Sequence, residues 1–176
     1  MKPIIKVPLK YGIFGSMMVV VMFLVFYFAG SNPLIEMNTF DFFILPIFLF
    51  FGVKEFRDNF NGKYLEFWEG MTVGFIIYAT IALLTSLFIF VFLISDGGTL
   101  LAGYIQSTAE GFEATRPETI KELGEAIYVQ ELQDIKSTTA SIVFLDNLFR
   151  KAAVGLMLTI MLSVITRKKM PDPANN

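Results

Sequence analysis

Four long apolar stretches, separated by shorter charged segments, dominate the pattern of hydrophobic and polar positions along this chain. They hold 25, 12, 26 and 15 uncharged residues, which lie between Lys10 and Glu36, Asp41 and Lys54, Glu69 and Asp96, and Lys151 and Arg167. A helix that rises about 1.5 Å per residue needs about 20 residues to cross about 30 Å of hydrocarbon. The pattern therefore predicts an all-α integral membrane protein with four transmembrane helices.

The flanking residues extend the two shorter runs. We expect one polytopic membrane domain over residues 1–176, with helices over about 11–29, 38–58, 66–95 and 138–167. The second run alone covers only about 18 Å, and Pro46 is expected to kink it, so re-entrant or buried placement is the alternative. In the fourth helix, Arg150 and Lys151 are expected to extend outward to the interface.

The longest polar region covers residues 96–136 and holds eight acidic and three basic side chains. Thr115, with Pro117 two residues later, has the form of a helix start. Apolar residues then recur at Ile120, Leu123, Ile127, Leu132 and Ile135. This spacing predicts an external amphipathic helix between the third and fourth transmembrane helices, lying either on the bundle or on the membrane surface.

Basic residues predict the orientation. The N-terminus, the connection between helices two and three, and the tail each carry three Lys or Arg residues, whereas the first outer connection carries none. The positive-inside rule therefore predicts cytoplasmic N- and C-termini and an external 96–136 region. Three N-terminal lysines before an apolar run also suit a signal peptide, but the run exceeds the usual 7–15 residues, so we expect a retained helix.

Composition excludes several function classes. The chain is 55% hydrophobic and contains neither cysteine nor histidine, which removes thiolate nucleophiles, Cys/His zinc sites and histidine bases. Glu118 and Glu122 are four residues apart, but two carboxylates do not complete a calcium site. A net charge of −2 without a basic stripe indicates no nucleic-acid partner. We expect no enzymatic activity, no cofactor and no metal.

Several short blocks follow one another in a recognisable order. They are Lys10-Tyr11-Gly12 at the first helix, residues 52–58 closing the second, Phe67-Trp68-Glu69-Gly70 with Gly74 opening the third, and Arg167-Lys168-Lys169 after the fourth. In order and spacing they resemble the bacterial family called domain of unknown function 4199. The resemblance implies a small four-helix protein of the bacterial inner membrane without an assigned activity.

Two pairs of small residues are candidates for helix packing: Gly12 with Ser16, and Gly70 with Gly74. Small residues four apart allow helix backbones to approach closely in lipid. We favour packing within the bundle, and self-association is the alternative.

A polar cluster is expected where helices two and three meet, formed by Lys54, Arg57, Asp58, Glu66 and Glu69. Lys54 and Asp58 are spaced to pair on one helix face. Such a cluster can form a site where an ion or proton enters the membrane, but a solvated loop is the favoured interpretation.

The function that fits these observations is a non-enzymatic accessory or scaffold component of the membrane, whose partners are the lipid bilayer and another membrane protein or a second copy. The alternative is a small transporter or channel. Transporters usually carry an ionisable residue within the membrane, and the middle of helices one and three has none. Asp41 and Asp146 are the nearest candidates, and both are predicted at the outer interface.

Overall fold

The structure, a computed structural model, describes residues 3–168, and it leaves the side chains of residues 38, 39, 41 and 42 undescribed. Within this range the chain forms seven α-helices. They are α1 (Pro3–Phe28), α2 (Pro33–Glu55), α3 (Phe67–Ser95), α4 (Thr99–Ala114), α5 (Arg116–Leu123), α6 (Glu125–Lys136) and α7 (Ala140–Ile165), with a π-helical turn (Phe56–Phe60) directly after α2. The described residues form no strand, which confirms the all-α prediction over this range.

Helices α1, α2, α3 and α7 pack side by side as a bundle, with α3 in contact with the other three. Three of them, α1, α3 and α7, are long and apolar enough to cross a membrane. The core contains fully buried side chains such as Phe23, Leu49 and Ile77, while Phe14 and Phe149 are among the large apolar side chains that point outward. Apolar residues on both sides of each helix are typical of a bundle surrounded by lipid.

Helix α2 begins at Pro33, earlier than the sequence prediction of about residue 38. Asn32 explains the difference, because its side-chain oxygen accepts a hydrogen bond from the Leu34 amide at 3.0 Å and caps the helix. Pro33 occupies the first turn, where proline is well tolerated. The resulting 23-residue helix is about 34 Å long.

Residues 99–136 form three helices, where the sequence pattern predicted one. The predicted helix from Thr115 is divided at Gly124, whose φ of +87° favours glycine. Helix α4 was missed because its N-cap residue is Gly98, its first turn holds no acidic residue, and glycines interrupt its sequence. The acceptor for its first turn is the Asp96 carboxylate, which binds the Leu100 amide at 2.7 Å. We call α4, α5 and α6 the α4–α6 unit, because α6 packs on both α4 and α5. Its contact with the bundle lies at the first turns of α4, where Leu100 is part of the buried core.

The end of the bundle away from α4 carries a short backbone bridge. The Leu65 amide donates to the Lys168 carbonyl at 2.9 Å, and the Lys168 amide donates back to the Leu65 carbonyl at 3.0 Å. The Leu65 side chain is fully buried. The bridge therefore holds the chain after α7 beside the chain that leads into α3, and we call this end the Leu65 end.

Candidate functional site

Helices α3 and α7 meet along a line of small residues, which we call the α3–α7 seam. A Cβ atom added at Gly70 would lie 2.8 Å from Ser163 Oγ, and one added at Gly74 would overlap the side chain of Thr159. Further along, a Cβ at Gly155 would lie 2.6 Å from Tyr78 Cβ. Contacts recur every fourth residue on both antiparallel helices, so glycine on one helix admits a larger side chain from the other.

Two hydroxyl groups in the seam are buried without a hydrogen-bond partner among the described residues, namely those of Thr159 and Ser163. Each oxygen lies 2.8 Å from the position that a Cβ would occupy on the facing glycine, Gly74 or Gly70. A Cα hydrogen points in that direction, so each hydroxyl faces a weak Cα–H donor. Close backbone approach therefore gives these oxygens a partial substitute for a conventional hydrogen bond.

The first predicted pair lies between α1 and α3. A Cβ added at Gly12 would lie 2.6 Å from Thr80 Cβ, and one at Gly15 would lie 2.7 Å from Ile81 Cδ1. Ser16 is buried and donates to the Ile13 carbonyl at 2.8 Å within its own helix. The close approach of α1 to α3 thus involves Gly12 and Gly15, of which the sequence pattern singled out only the first.

The α3–α7 seam ends in a buried polar group formed by Ser86, Asn147 and Lys151, which we call the polar centre. Lys151 Nζ donates to Asn147 Oδ1 at 2.8 Å, and Ser86 Oγ donates to the same oxygen at 3.1 Å. Lys151 is 2% exposed, Asn147 is 5% exposed and Ser86 is 0% exposed. Lys151 lies about 16 Å along the axis from the first residue of α7, close to the middle of a helix that can span a membrane.

The prediction that Lys151 extends outward is therefore wrong. Lys151 is four residues from both Asn147 and Gly155, so it shares their face against α3. By the four-residue register, the buried Ala82 stands opposite it and leaves room for the longer side chain. Arg150 is one position round the helix and keeps a side chain that is 40% exposed, with its guanidinium 3.7 Å from Asp146.

The five residues of the predicted polar cluster lie at the end of α2 and at the start of α3. Arg57 Nε donates to Asp58 at 2.7 Å, and Arg57 Nη1 reaches the Thr166 carbonyl at 3.4 Å. This hydrogen bond with Arg57 holds the pKa of the Asp58 carboxyl below its ordinary value. Lys54 does not pair with Asp58, because the π-helical turn begins at Phe56 and its wider hydrogen-bond spacing breaks the four-residue alignment.

Glu66 and Glu69 occupy the start of α3. The Glu69 carboxylate accepts from the Glu66 amide at 2.9 Å and from Asn61 Nδ2 at 2.7 Å. An acidic side chain that accepts backbone donors in a first turn stabilises the helix terminus. Among the described residues no three acidic side chains converge as metal ligands. Asp41, the other transport candidate, lies outside the described side chains.

A further polar contact at the Leu65 end joins α1 to the end of α2. Lys10 Nζ donates to both Glu55 oxygens at 2.6 and 2.7 Å, and the Tyr11 hydroxyl donates to Glu55 Oε2 at 2.6 Å. These residues belong to the blocks on which the family resemblance rests, but they lie far apart in sequence. Local spacing therefore gave no signal that they meet.

Comparison with protein families found a match to the family model described as "Protein of unknown function (DUF4199)", over residues 10–168. Comparison with curated proteins and with solved structures found no match. The matched range begins at Lys10, which pairs with Glu55, and ends at Lys168, which forms the backbone bridge with Leu65. It therefore includes the contacts described above.

Proposed function

Because this chain belongs to the DUF4199 family, whose members are of unknown function, we propose a role on physical grounds: it is a non-enzymatic accessory or scaffold component of the bacterial inner membrane. The observation that carries this proposal is that α5 and α6 have their main contacts within the α4–α6 unit, which is attached to the bundle through the first turns of α4. A bundle that spans the membrane and a helical unit attached to it at one end suit a protein that presents a surface to a partner.

We further propose that α1, α2, α3 and α7 all cross the membrane, with both termini in the cytoplasm and the α4–α6 unit outside. The length of α2 supports a full crossing, since about 34 Å exceeds the hydrocarbon thickness of about 30 Å. Its packing against both α1 and α3 supports the same conclusion. The orientation is supported by the basic residues at the Leu65 end and by their absence from the connection between α1 and α2.

The α4–α6 unit has an internal core of its own. The ring of Phe112 stacks on that of Tyr128, with centroids 5.1 Å apart, and the Arg116 guanidinium lies 5.5 Å from the Tyr128 ring centre. Lys136 pairs with Glu113 at 3.3 Å across the same helices. Stacking and cation–π contacts of this kind join the three helices without help from the bundle.

Exposed apolar side chains make this unit a candidate for binding. Leu123, Ile127 and Val129 are each about half exposed, and acidic residues surround them in sequence. Apolar side chains with a charged surround are typical of protein interaction surfaces. The partner that fits is a protein with an apolar contact surface bordered by basic residues.

Purification of the full chain from its native membrane in mild detergent tests this role. We expect one protein to co-purify in a fixed ratio with the wild type and to be lost with Ile127→Glu combined with Val129→Glu. Gln130→Glu is the matched control, because it adds a charge on the same helix without removing an apolar side chain. A fixed-ratio partner that stays with the double variant, or its absence from the wild type, would contradict the proposal.

The polar centre favours a second candidate function, a small transporter. An ionisable side chain held near the middle of a membrane helix is costly and usually serves an ion or substrate pathway. Lys151 and its acceptor Asn147 meet that description. Proton flux through reconstituted protein distinguishes the two candidates.

A further inference from the structure

A cleft at the Leu65 end lies between the first turns of α1 and the chain that closes α2. Its volume is about 480 Å³, and it is lined by Pro3, Lys6, Val7, Lys10, Glu55 and Phe60. Because α1 is one of the helices able to span a membrane, a cleft at its first turns lies at the level of the lipid headgroups.

The charges that line the cleft do not balance. Both oxygens of Glu55 are bound by Lys10, and the Tyr11 hydroxyl donates to Glu55 as well. Glu55 is therefore neutralised by Lys10, and Lys6 adds a further positive charge. Lys6 is exposed and forms no ion pair within residues 3–168. The cleft thus has a net charge of about +1 and one ammonium group ready to bind an anion.

The remaining walls are apolar. Val7 is buried in the floor, while Phe60 is about half exposed at the rim. Beyond the cleft, α1 continues with exposed Phe14 and Met17 on its surface. An occupant that satisfies both parts of the cleft has an anionic group and an adjoining apolar chain.

We propose that this cleft binds the headgroup of an anionic phospholipid. Lys6 binds the phosphodiester, and Lys10, four residues along the same face of α1, flanks it while holding Glu55. The glycerol and the first acyl carbons pack on Val7 and Phe60. Basic pockets beside transmembrane helices are suited to anionic headgroups by charge, and the apolar walls select a lipid over free phosphate. This site is independent of the proposed scaffold role.

Native mass spectrometry of the full chain in non-ionic detergent tests the proposal, with phosphatidylglycerol or phosphatidylcholine added. We expect the wild type to retain phosphatidylglycerol preferentially. Lys6→Gln should lower that preference about fivefold, the effect expected for one basic side chain near a lipid headgroup. Lys6→Arg should keep it. Lys63→Gln, which removes a lysine at the same end but outside the cleft, should leave it unchanged.

Each contrary result has a defined meaning. Equal phosphatidylglycerol binding by the wild type and Lys6→Gln overturns the site, and so does an equal loss with Lys63→Gln, which indicates general charge attraction. Millimolar inorganic phosphate that displaces the lipid would assign the cleft to free phosphate and also overturn it. Since Lys6 is exposed, its variants should keep the elution volume of the wild type, which confirms that binding is compared between folded proteins.

Discussion

The hydroxyl of Ser86 and the ammonium group of Lys151, on different helices, donate to the same oxygen, Oδ1 of Asn147. One amide oxygen thus joins α3 to the buried cation of α7. Both donors are almost fully buried, so water does not readily replace the shared acceptor. The polar centre therefore depends more on Asn147 than on either donor.

Replacing Asn147 by Leu should destabilise the protein. The substitution removes an acceptor that two buried donors share, and we expect a loss of about 1–3 kcal/mol in the free energy of unfolding. This change in the free energy of unfolding can be measured by unfolding the protein in mixed micelles and monitoring its circular dichroism. Asp146→Asn is the matched control on the next residue, where the carboxylate is exposed and the change should stay within about 0.5 kcal/mol. Equal unfolding midpoints for both variants would show that the shared oxygen contributes nothing.

The α3–α7 seam predicts opposite effects for two glycine substitutions. Gly74→Ala should lower the free energy of unfolding by about 1–3 kcal/mol, because the new methyl group meets Thr159. Gly111→Ala, in open space on α4, should raise it by up to about 1 kcal/mol through helix propensity. Gly74→Leu should in addition change the elution volume or reduce folding yield. Stabilisation by both alanine variants would mean that α3 and α7 do not touch at Gly74.

The topology can be measured with single cysteines, because the chain has none of its own. We expect a cysteine at Thr119 to react with an impermeant maleimide added to intact cells, and one at Asn61 to react only after permeabilisation. The two positions lie in α5 and in the segment before α3. Labelling of Asn61→Cys from outside would exclude the four-crossing arrangement and favour a re-entrant α2.

Proton flux separates the scaffold role from transport. We expect liposomes with the reconstituted protein, loaded with a pH-sensitive dye, to lose an imposed gradient no faster than empty liposomes across a panel of substrates. The polar centre gives this test a specific variant, Lys151→Met, which removes the intramembrane cation at similar volume. Flux in the wild type that disappears with Lys151→Met or Asp41→Asn would establish the transporter instead.

The features predictable from the sequence were those set by local pattern. Family membership and the all-α architecture followed from ordered blocks and apolar run lengths, and both are confirmed. The burial of Lys151 was missed because a charge at the end of an apolar run normally marks an interface, whereas here Lys151 shares the face of α7 that packs on α3.

The pairing of Lys54 with Asp58 within the predicted polar cluster differs for another physical reason. Its members were grouped on the assumption that α2 stays α-helical to Asp58, whereas the π-helical turn changes which side chains are neighbours. Asp58 then pairs with Arg57, and the contact of Lys10 with Glu55 joins residues too distant in sequence for any spacing rule. Pairings between helices depend on tertiary packing, which a single sequence pattern does not contain.

The burial of Lys151 has a consequence for membrane insertion, because the ribosome synthesises the helices in chain order. Helix α3 is synthesised before α7, so its glycine face waits for α7 while the α4–α6 unit is made. A lysine near the centre of a helix raises the cost of lateral release into lipid by about 2.5–3.5 kcal/mol. Ser86 on α3 helps to orient the acceptor that Lys151 needs. Helix α7 thus enters the bilayer most readily when α3 is already there to receive it.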